Sequence, residues 1–406
     1  MKKLIATLSI SALAFSLVAG THTMYASSTT PAASAVSVNN QSQVTKQIDE
    51  FLQSKQFNGT FLVAKDGKVV MSKGYGESNF TTHAKNEVET SFRIGSLTKS
   101  VTAVAVMQLV EQGKLKLGDP INKFIPDFPN GDKITVHQLL SHTSGIGDAE
   151  FFDVGKKDMA GYYSQAKMLE TAKRAAEKLD SEPGTKFEYS NTGYHLLGYI
   201  IEEASHTTWD NYVNEYIFKP TQMTNSGVEI NEPVLPNHAV GVDADGKPAM
   251  FADISYAKSA GSLYSTVGDV LKFDQALMSG KLISKKSFDM MATPVKDGYG
   301  YGLIDGVKLQ ESSDWKYHQG DIPGFHAFNA FNVKENMQVI LMTNKDINPE
   351  EFGLNIAKGV LDIFAKAPTD PGKEKSNQQV YLEYLIATGT SGQAAWAEDQ
   401  LTKGLY

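Results

Sequence analysis

Residues 92–121 read FRIGSLTKSVTAVAVMQLVEQGKLKLGDPI. Val101, Val104, Val106, Met107, Leu109 and Val110 crowd into ten positions, too many for the single stripe of a surface helix. The pattern predicts a largely buried helix that begins near Ser96, with Gly113 suited to its C-terminus. Ser96 and Lys99 then lie one turn apart on the same face. A serine hydroxyl is a poor nucleophile until a base takes its proton, and apolar surroundings push a lysine toward its neutral, proton-accepting form. The first-turn amides are unpaired and the helix dipole is positive there, which stabilises an oxyanion.

Spacing alone does not select this tetrad, because Ser164 to Lys167, Ser255 to Lys258 and Ser313 to Lys316 repeat it. The plain alternative is a serine that caps a helix beside a solvated lysine. What singles out Ser96 is its place, directly after Phe92-Arg93-Ile94-Gly95 and at the head of a strongly apolar helix.

Upstream, VTKQIDEFLQSKQF (44–57) reads as an amphipathic helix with Val44, Ile48, Phe51 and Leu52 on one stripe, and GTFLVAKDGKVVMSKGYG (59–76) as a β-hairpin around Asp66-Gly67. Downstream, from about Asp119 to Ala257, helices and loops are expected, with HQLLSHTSG, AKMLETAKRAAEKL and GYHLLGYIIEEAS as helix candidates. Strand signals return in YGYGLI, WKYHQG, FHAFNAFNV and MQVILMTN, before a closing helix EEFGLNIAKGVLDIFA. The order predicts an α/β fold of the α+β kind: one antiparallel sheet built from both chain ends, flanked by helices, beside a mainly helical subdomain over roughly 119–257.

The chain opens with MKKLIATLSISALAFSLVAG, two lysines ahead of an apolar run and small residues, the order of a secretory signal peptide. A retained membrane anchor is the alternative. Residues 1–30 are read as signal and flexible lead, the lead continuing to about Ser42; 42–366 as the folded domain; and 367–406 as linker and tail. The localisation expected is secreted or extracytoplasmic, cell-wall associated or periplasmic, with no integral membrane span after signal removal. Of 406 residues none is cysteine, so the fold rests on core packing rather than disulfides, and zinc held by thiolates is excluded. A net charge of -8, with both signs interleaved, offers no basic block for nucleic acid.

Two further elements carry chemistry. Tyr189-Ser190-Asn191 follows the loop PGTKFE: a phenol near Lys99 can relay protons, and Asn191 can meet a substrate amide. His318-Gln319-Gly320 ends a predicted strand, where Gly320 permits close backbone approach, the Asp321 amide can serve as an oxyanion donor, and His318 can supply a polar or cationic group. Each has a bland counterpart, a buried tyrosine and a strand-end histidine. His137 and His142 stand five apart, which does not suit a zinc pair.

Taken in order, FRIGSLTKSVTAVAVMQLVEQGKLKLGDPI, LLSHTSGI, PGTKFEYSNTGYHLLGYII, AGSLYSTVGDVLKF and YHQGDIPGF resemble the penicillin-binding-protein and class C β-lactamase superfamily. The resemblance covers roughly Val44 to Ala365. It implies that Ser96 is acylated by a peptide, ester or β-lactam, with Lys99 and Tyr189 as general acid and base and Asn191 on the substrate amide. It places the Ser96 and Asp321 amides in the oxyanion hole and His318 where many relatives carry a lysine; LLSHTSG is implied to be a packing element. A histidine there is familiar in D,D-peptidases, esterases and D-amino-acid peptidases and less usual in efficient β-lactamases. Asp321 is a departure that would repel a substrate carboxylate by about 1 kcal/mol, unless it points outward and caps the turn to Gly324. The expected protein is a penicillin-binding D,D-carboxypeptidase or D-amino-acid-specific peptidase. A carboxylesterase or weak β-lactamase is the alternative, and a non-catalytic binding module a third. The substrate is a small molecule or peptide, and no metal or organic cofactor is expected.

Overall fold

Asp66 and Gly67 both adopt positive φ, 52° and 74°, as a two-residue hairpin turn requires. They join strand β1 (Gly59–Lys65) to β2 (Lys68–Tyr75). The computed structural model describes residues 33–149, 161–229, 235–310, 314–366 and 395. One compact unit comprises residues 40–369; the other, 1–39 with 370–406, lies almost wholly outside the described residues, and with it the segment expected to be a signal and the expected tail.

Ahead of the hairpin, α1 (Ala33–Ser54) buries Val44, Ile48 and Leu52 and half-buries Phe51. The helix starts inside the stretch expected to be a flexible lead. Once the Val44–Leu52 stripe is docked, further turns add at little cost, since nucleation is the expensive step. Small strands β3 (Glu77–Asn79) and β4 (Ala84–Lys85) pair with each other. Next, β5 (Phe92–Arg93) forms a small sheet with β6 (Gly227–Val228) and β7 (Leu263–Ser265), in the order β5-β7-β6.

A 3-10 turn, Gly95–Leu97, leads into α2 (Thr98–Glu111), which buries every residue from Thr98 to Met107 and then Leu109. The α-helix therefore begins two residues after Ser96. Helices α3 (Val136–Leu140), α4 (Gln165–Glu177), α5 (Asn191–Ser205), α6 (Trp209–Val213), α7 (Lys219–Thr221) and α8 (Lys258–Gly261) make up the helical region. Of the expected HQLLSHTSG helix (137–145) only 137–140 is helical; His142, at φ 55°, lies beyond its end. Helices α9 (Val267–Met278) and α10 (Lys285–Ala292) lead back to the sheet.

Strands β8 (Ile304–Asp305), β9 (Trp315–Ile322), β10 (Phe325–Asn332) and β11 (Met337–Thr343) complete a main sheet that, among the described residues, has the antiparallel order β2-β1-β11-β10-β9-β8. Of YGYGLI only Ile304 is strand. Gly302 at φ 63° lies so close to α2 that an added Cβ would stand 2.7 Å from the Lys99 carbonyl, and the segment is spent on that approach. Nor does β9 end at Gly320; it continues to Ile322, paired with β10.

Strand alternation sorts the sheet's two faces. Phe61, Val63, Phe328, Val339 and Leu341 face one cluster with α1 and with α11 (Pro349–Lys366). Leu62, Ala64, Ala327, Ile340 and Met342 face a second cluster with α2 and α5. Each Val, Leu, Ile, Phe or Met side chain so buried contributes about 1.5–3 kcal/mol. The buried α2 is thereby fixed beneath the end of β9. Among the described residues no helix is long and apolar enough to cross a membrane.

Candidate active site

Ser96 sits in the 3-10 turn, where three residues per turn bring positions i and i+3 into line. Lys99 Nζ is therefore 2.9 Å from Ser96 Oγ. It also donates to Asn191 Oδ1 at 2.7 Å and to the Ala260 carbonyl at 2.8 Å. Lys99 is fully buried, and burial pushes its ammonium down to about 7, with the Asp148 charge pulling weakly the other way. Asn191 Oδ1 and the Ala260 carbonyl can only accept. A neutral Lys99 thus keeps its two N–H bonds on them and turns its lone pair to Ser96 Oγ–H.

Tyr189 precedes α5, whose N-cap Ser190 accepts from the Gly193 amide at 3.1 Å. Tyr189 lies beside Ser96 on the cleft wall, and Lys99 Nζ stands 4.9 Å from its ring centroid. Tyr189 is 40% exposed; desolvation of its phenol raises its pKa, the neighbouring Ser96 hydroxyl opposes this, and the carboxylates of Asp148 and Asp321 add to the rise. At neutral pH it is a phenol.

Gly320 and Gly95 let two segments touch. A Cβ on Gly320 would stand 1.9 Å from the Ile94 carbonyl, and one on Gly95, itself at φ 49°, 2.9 Å from the Asp321 amide nitrogen. The Ser96 and Asp321 amides are thereby brought to the same end of the cleft, the arrangement an oxyanion hole needs.

The cleft has a volume of about 560 Å³ and is lined by Ser96, Tyr189, Asn191, Tyr299, His318 and Asp321, among others, with Asp297 and Lys308 also on its wall. Two open points are narrowed here. His318 is not a cation: it is buried, its Nε2 lies 3.0 Å from the Tyr299 hydroxyl and its Nδ1 2.6 Å from the Gln319 carbonyl. Burial and the Lys99 charge push it down to about 3, so it is neutral. Asp321 does not cap Gly324; its carboxylate lies 2.6 Å from His326 Nδ1, and Asp346 accepts the Gly324 amide.

The rival tetrads are occupied elsewhere. Ser164 caps α4, Lys258 pairs with Asp210 at 2.9 Å, and Ser313 lies outside the described residues. His137 Nδ1 meets the Tyr301 hydroxyl at 2.7 Å, far from any metal role, and among the described residues no group of three or more His, Cys, Asp or Glu could hold a metal ion. Reading the sequence missed Tyr299, His142 and Asp148. No local pattern marks them, because each acts across a large sequence separation: Asp148 accepts from the Asn191 amide at 2.6 Å and from its Nδ2 at 2.8 Å.

Residues 44–360 match the β-lactamase family. The chain belongs to it. Within the family it is 33% identical over 302 residues to the Bacillus subtilis (strain 168) penicillin-binding protein PbpX, covering 74% of this chain and 73% of that one. Protein flp of Staphylococcus aureus (strain N315) is 27% identical over 319 residues, 75% of this chain but only 63% of the relative. Among solved structures, the octameric penicillin-binding protein homologue from Pyrococcus abyssi superposes with a TM-score of 0.70 at 28% identity, over 85% of this chain and 81% of that one. Family membership makes the chain a serine hydrolase of this superfamily, on a penicillin-binding-protein fold.

Proposed function

We propose that this protein is an exported hydrolase that is acylated at Ser96 and acts on D-amino-acid peptides of the cell-wall type. The observation that carries the reading is the 2.9 Å contact between Ser96 Oγ and a fully buried Lys99 whose pKa is about 7. Lys99 is the base and Tyr189 the acid, because the amine is poised near neutrality and the phenol is held protonated. Ser96 Oγ attacks the acyl carbon as its proton passes to Lys99 Nζ, and the amides of Ser96 and Asp321 receive the negative oxygen. The bond from carbon to the leaving nitrogen breaks, Tyr189 gives that nitrogen its proton, and Lys99 reprotonates Tyr189. Water then attacks the ester, its proton passing to the Lys99–Tyr189 pair, and Ser96 Oγ leaves with a proton from it. Asn191 holds Lys99 through Oδ1 and borders the substrate's acyl side.

A second reading, a carboxylesterase or a hydrolase of amine-bearing substrates, is favoured by the neutral His318. With His318 neutral, a substrate carboxylate finds no cation there, and the Asp321 carboxylate is turned to His326 and so supplies no group for it either. Hydrolysis of an N-acyl-D-Ala-D-Ala peptide, a D-alanine amide and a neutral ester by wild type and Ser96→Ala tests both. Cleavage of the D-configured peptide, lost in Ser96→Ala, is expected. Cleavage of the amide or ester alone transfers the assignment to the second reading, and undiminished hydrolysis by Ser96→Ala contradicts both. The proposed export is checked by locating the mature N-terminus of the secreted protein.

A further inference from the structure

The loop after α3, residues 141–149, touches both members of the Tyr189-Asn191 motif by separate contacts. His142 accounts for Tyr189. Its carbonyl accepts from the Glu188 amide at 2.8 Å, its Nδ1 accepts from the Ser190 amide at 3.0 Å, and its ring lies under the Tyr189 ring, centroids 4.2 Å apart. The residue before and the residue after Tyr189 are thus both tied to one histidine. His142 is 1% exposed and sits at φ 55°, a left-handed conformation in which, glycine aside, Asn, Asp and His are the enriched residues. Because Nδ1 accepts, the ring is the neutral Nε2–H tautomer, and burial holds it neutral.

Asp148 accounts for Asn191. Its carboxylate accepts from the Asn191 amide at 2.6 Å, the Thr192 amide at 3.2 Å and Asn191 Nδ2 at 2.8 Å. An amide side chain can turn end for end, and the contact from Nδ2 to a carboxylate forbids it. Oδ1 is therefore the atom offered to Lys99, at 2.7 Å. The Ala149 amide closes the loop onto Thr192 Oγ1 at 2.7 Å.

We propose that this loop is a positioning device rather than a packing element: His142 aims the Tyr189 hydroxyl, and Asp148 fixes the Asn191 amide so that Lys99 turns its free electron pair to Ser96. The proposal rests on the reading that Ser96 is acylated with Lys99 and Tyr189 moving the protons. Neither residue touches substrate; each acts through its partner, and such an effect must vanish when the partner's functional group is gone.

The test is a pair of double-mutant cycles on acylation by p-nitrophenyl acetate, with thermal melting of each variant. His142→Asn keeps an acceptor and tolerates the left-handed backbone; Asp148→Asn keeps an acceptor and loses the charge. In the wild-type background each lowers kcat on the order of 10-fold or more with KM nearly unchanged. In Tyr189→Phe, His142→Asn has no further effect, and in Asn191→Ala, Asp148→Asn has none. The same fold-loss in both backgrounds, or wild-type kcat in the single variants, overturns the proposal. Should His142→Asn not fold, His142→Gln takes its place, and the Asp148 cycle decides by the same criteria. Ser96→Ala in the same assay reads the parent reading separately: acylation that survives it refutes that reading, whatever the cycles give.

Discussion

Two segments of this protein share one spelling, Ser-x-x-Lys with the serine at the head of a helix, and they behave as opposites. Ser164 caps α4, accepting from the Lys167 amide at 3.3 Å, and the exposed Lys167 lays its ammonium over the Tyr163 ring at 4.2 Å. Ser96 lies in a 3-10 turn ahead of a helix buried on nearly all sides, and Lys99 is fully buried with Ser96 Oγ at 2.9 Å. The three-residue spacing is common to both. On the proposed mechanism, what separates a base from a solvated cation is the desolvation that α2 imposes, together with two acceptors that leave the amine one free direction.

The largest expected effect breaks that comparison on one side only. Lys99→Met, which fills the same space without a base, lowers acylation on the order of 10²–10⁴-fold, whereas Lys167→Met leaves it unchanged; acyl-transfer rates on matched protein preparations check both. Tyr189→Phe comes next, with a fall in kcat on the order of 10²-fold in the same assay. In the wild type, acylation declines below pH of about 7, as Lys99 takes up a proton and its electron pair is lost.

The same titration is readable in stability. The folded pKa of Lys99, about 7, lies below its ordinary 10.5, so between these values the unfolded chain binds the extra proton. Stability therefore rises with pH across that window, by at most about 1.4 kcal/mol per unit, and denaturant melts of Lys99→Met lack this component. The smallest effect belongs to the other tetrad. Ser164→Ala removes a helix cap, costing about 1 kcal/mol in thermal or denaturant unfolding, with acylation untouched.

Much of this was legible in the residues because it is local. Asp66-Gly67 between two apolar runs specifies a hairpin turn wherever it occurs, and the apolar crowding of residues 101–110 can only belong to a buried helix. YGYGLI misled because its aromatic and glycine alternation imitates a strand, while Gly302 in fact serves a close approach to α2 that only tertiary structure defines. The candidate site divides in the same way. Ser96, Lys99, Tyr189 and Asn191 stand out by residue type and order, whereas the neutrality of His318 depends on Tyr299, and the aim of Tyr189 and Asn191 on His142 and Asp148. Those partners lie 19 to 48 positions away, beyond the reach of any periodicity.

The most direct test of the central claim is to trap the acyl-enzyme by acid quench during turnover of p-nitrophenyl acetate and map the acetyl group by peptide mass spectrometry. The account predicts one acetyl group on Ser96, absent in Ser96→Ala and present in Ser164→Ala. An acetyl group on another residue, or one that persists in Ser96→Ala, would contradict it.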